Sequence, residues 1–445
     1  MSYENIKSVL LTLLVIMSLI LTWNLWTYQP EYGLIESTRY ISDVDIGEKR
    51  ELQELIQPSK VLFHKNGRHY GTTDTIEMKK ALSHIRQWSF NDFSDITPSI
   101  REGYLDFVHG RDSVEIIFPS EVPVEILKSV LPIVDEELRL VTFDRVIIPM
   151  QDSQKEEPVA YFVSYEDHYV YKATINSFLY QTFFKEIYQV SPRYPQYFAY
   201  KIDGYTSLFL PDDKVNVNRI TYYSIQLSGE DFKDALFTDP SIAKRDIQPN
   251  GDESYSDGAR ALYIFNGGNL LQFINPVTET DSPIIGSKQL IQQSIDFIND
   301  HSGWTDQYVM FDWDSALQST EFRLQINGMP VFNYAGLSRI SQEWNKTNMF
   351  DKYERPMFKL QLSLDSESSN VSLPSGHTLL DLLRQMPSFD PNKLEDALVG
   401  YELVKDRTSA KVTIEPMWIV NYNGSWKKII FDDMRELGGN VIGLE

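Results

Sequence analysis

The sequence contains no cysteine. Disulfides and thiolate metal sites are therefore excluded. Positive charge is also scarce: 41 Lys and Arg stand against 63 Asp and Glu, a formal net charge of −22. A nucleic-acid binder needs clustered cations to neutralise phosphates, so that class is excluded. Adhesion to an anionic membrane surface or wall polymer is disfavoured for the same reason. HExxH, GxSxG, Walker A and GxGxxG motifs are all missing.

Histidine is sparse and scattered: His64, His69, His84, His109, His168, His301 and His377. His64 and His69 flank an Asn66-Gly67 turn. Two imidazoles fall short of the three or four ligands zinc needs, so they read as surface residues. Ser241-Ile-Ala-Lys244 matches SxxK, but neither SDN nor KTG accompanies it. Asp312 and Asp314 in FDWDS alternate along a strand and share a face. They read as a solvated strand end, the alternative being the carboxylate pair of a wall-polymer hydrolase. No residue is singled out as catalytic, cofactor-binding or metal-ligating. The reading is of a binding or regulatory protein that is not an enzyme.

What the sequence does have is one run, Ser8 to Pro30, without a charge. About 20 apolar residues cross a hydrocarbon layer of roughly 30 Å. Ser8 to Trp26 meets that length, and Trp23, Trp26 and Tyr28 mark an interface at its far end. The run is longer than a signal-peptide core and ends without a small-x-small cleavage site, so it reads as an uncleaved anchor. Lys7 favours a cytoplasmic N-terminus, partly offset by Glu4. The expected topology is single-pass in the cell membrane, with the bulk of the chain extracytoplasmic. Ser8, Thr12, Val15, Ser18, Thr22 and Trp26 fall within one arc of the helix. Small and hydroxyl-bearing side chains allow close helix approach in lipid, although GxxxG is absent. These six are the candidate partner-binding stripe.

Beyond Glu31 the pattern alternates strands with short helices, so the fold class is α+β with antiparallel sheets. Residues 1–7 read as a cytoplasmic tail and 8–30 as the transmembrane helix, with a juxtamembrane linker at 31–37. Polar, proline-ending stretches at 151–158 and 276–283 divide the rest into extracytoplasmic domains at 31–155, 156–280 and 281–445. Domains two and three each read helix, strands, short helix, hairpin, which suggests a structural duplication.

NIKSVLLTLLVIMSLILTWNLWTYQP, SYSDGARALYIFNGGNLLQFINP and LVGYELVKDRTSAKVTIEPMWIVNYNGSW together resemble the YycH family of low-GC Gram-positive bacteria. The last segment carries the Gly-Tyr then Pro-x-Trp arrangement of the related YycI proteins. The resemblance implies a three-domain external part whose last two domains are YycI-like. It also implies association with the sensor histidine kinase WalK (YycG), through the transmembrane helix, and with a YycI-like membrane protein, through the external domains. The implied role is adjustment of the WalKR two-component system, which governs cell-wall metabolism. No cofactor and no catalytic residue come with it. An extracytoplasmic ligand-binding or scaffold module on an inert anchor is the alternative.

Overall fold

The structure is a computed structural model that describes residues 3–27, 46–110, 112–135, 138, 141–150, 157–175, 177–276, 285–345, 350–406, 409–431 and 441–443. Two units separate along the chain, Met1–Tyr40 and Ile41–Glu445. The first contains one helix, α1 (Tyr3–Thr27). Of its side chains only Lys7 and residues 11–19 and 21–23 are described, and all are exposed. Counting described residues alone, no helix is long and apolar enough to cross a membrane. The expected linker at 31–37 lies outside the described residues.

The second unit opens on a nine-stranded sheet. Its strands are β1 (Lys60–Lys65), β2 (Arg68–Thr72), β3 (Phe90–Asp95), β4 (Ser113–Pro123), β5 (Thr142–Pro149), β6 (Val159–Ser164), β7 (Tyr169–Ile175), β8 (Gln196–Lys201) and β9 (Ser207–Pro211). They lie in the order β3-β7-β6-β5-β4-β1-β2-β8-β9. The β1–β2 turn is the one the sequence announces. Asn66 and Gly67 take φ of 51° and 70°, and Lys65 pairs with Arg68 across a two-residue loop.

Alternation along the strands sets up two unlike faces. Val61, Phe63, Val114, Ile116, Val146 and Ile148 are buried on one, against helices Thr75–Ile85 and Val124–Val130. Helix Thr75–Ile85 begins at Asp74, whose carboxylate accepts from the backbone N–H of Ile76 and Glu77. Met78, Ala81, Leu82 and Ile85 turn inward, whereas Ile76 is exposed rather than part of the apolar face. The opposite sheet face carries Lys60, Leu62, His64, Glu115 and Arg145, by the β1–β4 and β4–β5 registers. Helix Tyr104–His109 packs on that side, with Tyr104, Leu105 and Val108 against Ile147, Tyr161 and Val163.

The second sheet has sixteen described strands. Its spine is the pair Leu394–Lys405 and Lys411–Tyr422, antiparallel along nearly their whole length. The Gly-Tyr and Pro-x-Trp residues face each other here: Tyr401 opposes Pro416, Gly400 opposes Met417, and Val399 opposes Trp418. Gly400 is required because a Cβ would meet the Pro330 carbonyl oxygen at 2.7 Å. Pro330 lies in Met329–Phe332, the one described strand that pairs in parallel, with Leu394–Lys405. Trp418 is fully buried, and its indole N–H donates to the Pro374 carbonyl at 2.8 Å.

Strand pairing runs across both expected boundaries. Residues 151–156 lie outside the described residues, but β5 and β6 on either side pair with each other. The first sheet therefore continues past 155 to Pro211. Similarly, 277–284 are not described, yet strand Leu270–Ile274 pairs with Phe350–Pro356, so the second sheet is continuous across 280. The expected order of helix, strands, short helix and hairpin does occur twice, with short helices Gly229–Leu236 and Gly376–Gln385 capped by Ser228 and Ser375. The two runs differ in sheet membership: β8 and β9, in the earlier run, belong to the first sheet.

The loop after strand Ser319–Ile326 packs against the first sheet. Gly328 has φ of +78°, and a Cβ there would meet the Thr73 carbonyl oxygen at 2.0 Å. Gly328→Ala should therefore lower stability by at least about 1–3 kcal/mol, the usual cost of a left-handed non-glycine residue. Thermal melting followed by tryptophan fluorescence checks this; an unchanged midpoint refutes the contact.

Candidate functional site

The α1 stripe is only partly described. Thr12, Val15, Ser18 and Thr22 are exposed, while the side chains of Ser8 and Trp26 lie outside the described residues. The Thr22 hydroxyl donates to the Ser18 carbonyl at 2.9 Å, the i−4 bond of an in-helix threonine. Its donor is thus used within the helix, and its oxygen remains an acceptor. Nothing in the second unit bears on what the stripe contacts.

The polar face of the first sheet holds a site that the sequence reading missed. Glu115 is fully buried on β4. Its Oε2 lies 2.9 Å from His64 Nε2 and 3.0 Å from His109 Nδ1. Its Oε1 accepts from Arg145 Nη1 at 2.7 Å. Arg145 also donates to Asp144 Oδ2 from Nε and Nη2, at 3.1 and 2.8 Å, and stacks 3.6 Å over the Tyr165 ring. Two outer contacts complete the network. His69 Nδ1 lies 2.7 Å from His64 Nδ1, and the Tyr165 hydroxyl lies 3.0 Å from His109 Nε2. Phe209 of β9 closes the cluster, with its ring 4.8–5.2 Å from all three imidazoles.

The reading of His64 and His69 as surface residues is overturned. They are directly opposed across the hairpin, and His64 is only 2% exposed. The Asn-Gly turn predicts their pairing, but not their burial. That depends on helix Tyr104–His109 and on β9, which arrives some 140 residues after the hairpin. The hairpin alone supplies two candidate ligands, and the fold brings further groups beside His64. His64, His109 and Glu115 bring three ligand atoms within 4.8 Å of one another.

The electrostatics are those of a compensated buried charge. Burial pushes the Glu115 carboxyl up, but His109 and Arg145, with hydrogen bonds from both histidines, hold it well below its usual value. Burial lowers His109, and Glu115 only partly offsets this. Burial, with the neighbouring His64 and His109, lowers His69 to about 4. The state this favours is a carboxylate paired with a guanidinium and flanked by a neutral His109.

Beside the cluster, between the two sheets, lies a cavity of about 740 Å³. Lys60, Arg145 and Tyr165 line it from the first sheet, and Asp312, Asp396 and Trp426 from the second. Burial lowers Lys60, which makes no ion pair among the described residues, and Tyr197 lies under its ammonium at 6.0 Å. The indole N–H of Trp313 donates to the Glu121 carbonyl at 2.6 Å and ties the walls together. Asp312 is exposed to the cavity, yet the protein crowded around its carboxyl raises it to about 6 by desolvation, with Glu321 and Asp314 adding to the effect. Asp314 instead accepts from the backbone N–H of Ala316 and Leu317, closing the strand-end turn. The two aspartates share a strand but have separate tasks.

Two outcomes follow from this geometry. Glu115→Gln removes a partner of buried Arg145 and should cost about 3 kcal/mol, the lower end of the range for a broken buried pair because Asp144 remains. Denaturant titration measures it. The folded-state values of Glu115 and His69 lie below their unfolded values. Stability they confer is present at neutral pH and is lost on acidification, from about 6.5 toward 4 for His69 and at lower pH for Glu115. Raised Asp312 acts in the opposite direction, so comparing wild type with His69→Gln isolates the histidine. The variant should lose less stability between pH 7 and 5 in the presence of EDTA; parallel profiles refute this.

Comparison with known proteins places the chain. Residues 4–192 match the model for the YycH protein N-terminal domain, and residues 205–435 match that for its C-terminal domain. The two-component system WalR/WalK regulatory protein YycH of Bacillus subtilis (strain 168) is 25% identical over 456 residues, covering 99% of both chains. The crystal structure of YycH from Bacillus subtilis superposes with a TM-score of 0.74 at 22% identity, covering 87% of this chain and 99% of that one. That likeness speaks to the fold, whereas the two family models together account for most of the sequence: the chain belongs to the YycH family.

Proposed function

We propose that this protein is a non-enzymatic, membrane-anchored regulator of a WalKR-type two-component system. In this reading α1 crosses the cell membrane once with the N-terminus in the cytoplasm, and the second unit is extracytoplasmic. The stripe on α1 packs beside the spans of the sensor kinase WalK (YycG). The outer unit pairs with a YycI-like membrane protein, and together they bias the kinase and so the expression of cell-wall metabolism genes. The observation that carries this is the match along 99% of the chain to a protein named as a WalR/WalK regulator. The charge-free run from Ser8 to Pro30 in the sequence is what supports the span.

The energetics are modest. A bias of about 1–3 kcal/mol changes a two-state output by roughly 5- to 150-fold. Interhelical contacts in lipid contribute about 0.6–2 kcal/mol each, so a few suffice. A second reading, of a ligand-binding module on an inert anchor, draws on the cavity between the sheets.

Cells in which Ser8, Thr12, Ser18 and Thr22 are all replaced by leucine distinguish the two. The kinase-contact reading expects kinase output to shift several-fold at normal protein level, and photo-crosslinking from Val15 to capture the kinase. Unchanged output with no captured kinase, or full function on an unrelated anchor, removes the stripe and favours the second reading.

A further inference from the structure

We propose that His64, His109 and Glu115 form a binding site for one zinc-class divalent cation, held through His64 Nε2, His109 Nδ1 and Glu115 Oε2. Among the described residues, this is the one trio of histidine and carboxylate side chains whose ligand atoms converge so closely. The three come from β1, from the end of helix Tyr104–His109 and from β4, so the sheet and its covering helix hold them in place. With metal bonds of about 2.0–2.1 Å, adjacent ligand atoms stand roughly 2.9–3.4 Å apart. The observed separations of 2.9 and 3.0 Å are at the near edge of that range. Two imidazoles and a carboxylate suit zinc better than calcium or magnesium, which favour all-oxygen sets.

The outer partners are those of a metal site. A ligating histidine directs its other ring nitrogen to a hydrogen-bonding group, and a ligating carboxylate is itself hydrogen-bonded. Here His64 Nδ1 meets His69, His109 Nε2 meets the Tyr165 hydroxyl, and Glu115 Oε1 meets Arg145. The network closes in either of two proton arrangements. Without metal, His64 and His109 donate inward to Glu115. With metal, both neutral rings turn their lone pairs inward and donate outward, His64 to His69 and His109 to Tyr165. Tyr165 can then donate to the Ser207 carbonyl at 3.3 Å. No imidazole proton has to leave the protein, only to change nitrogen.

Charge is compatible as well. Glu115 and Asp144 against Arg145 leave one net negative charge, and a dication changes it to one positive, the balance of a His₂Glu site. Arg145 and Tyr165 both touch the cluster and line the cavity, so they stand between the three ligands and the open space. A water molecule would complete the coordination. This inference stands apart from the regulatory reading.

The test uses the full-length, tag-free chain in detergent micelles, stripped with EDTA and dialysed against zinc chloride. The expected result is one equivalent of zinc per chain by elemental analysis. Cobalt chloride should give the visible absorption of a tetrahedral site. His109→Gln should weaken zinc binding at least 100-fold against a competing chelator. Tyr165→Phe, which removes only an outer partner, should weaken it by about 10-fold. Circular dichroism confirms that each variant is folded. Substoichiometric zinc with no cobalt band in folded wild type overturns the proposal, as does equal zinc uptake by folded His109→Gln. If His109→Gln does not fold, the cobalt spectrum and Tyr165→Phe decide the matter.

Discussion

A carboxylate taken out of water must find opposite charge and hydrogen bonds, or it is protonated. Glu115 is such a group, and much of the first sheet is arranged around satisfying it. Arg145 supplies the countercharge from the next strand, and Asp144 and the Tyr165 ring hold the guanidinium in turn. His64 and His109 satisfy the second oxygen. Because every member has a partner, the network specifies one arrangement of β1, β4, β5 and helix Tyr104–His109. A half-satisfied version would be worse than an apolar core.

The lid on this network comes from elsewhere in the chain. The hairpin of β8 and β9 adds itself to the edge of β2 and brings Ser207 and Phe209 over the histidines. The C-terminal family model begins at residue 205, so β9 is a strand of the C-terminal part inserted into the N-terminal sheet. The same region of chain then continues as strand Val215–Gln226 of the second sheet. The cavity between the sheets follows from this crossing. Its walls meet at Trp313 on Glu121 and at Gly328 on Thr73, where direct backbone approach leaves no room for another side chain.

Much of the local structure was legible. The Asn66-Gly67 turn and the repeated order of helix, strands, short helix and hairpin appear where the residue pattern puts them, with Ser228 and Ser375 capping the short helices. These are short-range effects, fixed by a few neighbouring side chains and backbone groups. Glu77 is an instructive departure. It stands three residues after the Asp74 cap, the capping-box position, but it pairs with Arg193 and Tyr194, more than a hundred residues away. Strand pairing crosses both expected boundaries for a related reason. A polar, proline-bearing stretch marks a loop, and a loop between paired strands has the same composition as a loop between domains.

The sequence by itself determined the charge-free N-terminal segment, the α+β class, the acidity and the absence of thiolate chemistry, because these depend on composition and on spacing over a turn or two. It also carried the family resemblance, whose last segment forms the spine of the second sheet. Only the tertiary structure decided that three histidines and a glutamate share one buried site, and that Asp312 faces a cavity while Asp314 closes a turn. Burial is a property of what arrives later in the chain: a histidine on an exposed-looking hairpin becomes a core residue when β9 covers it.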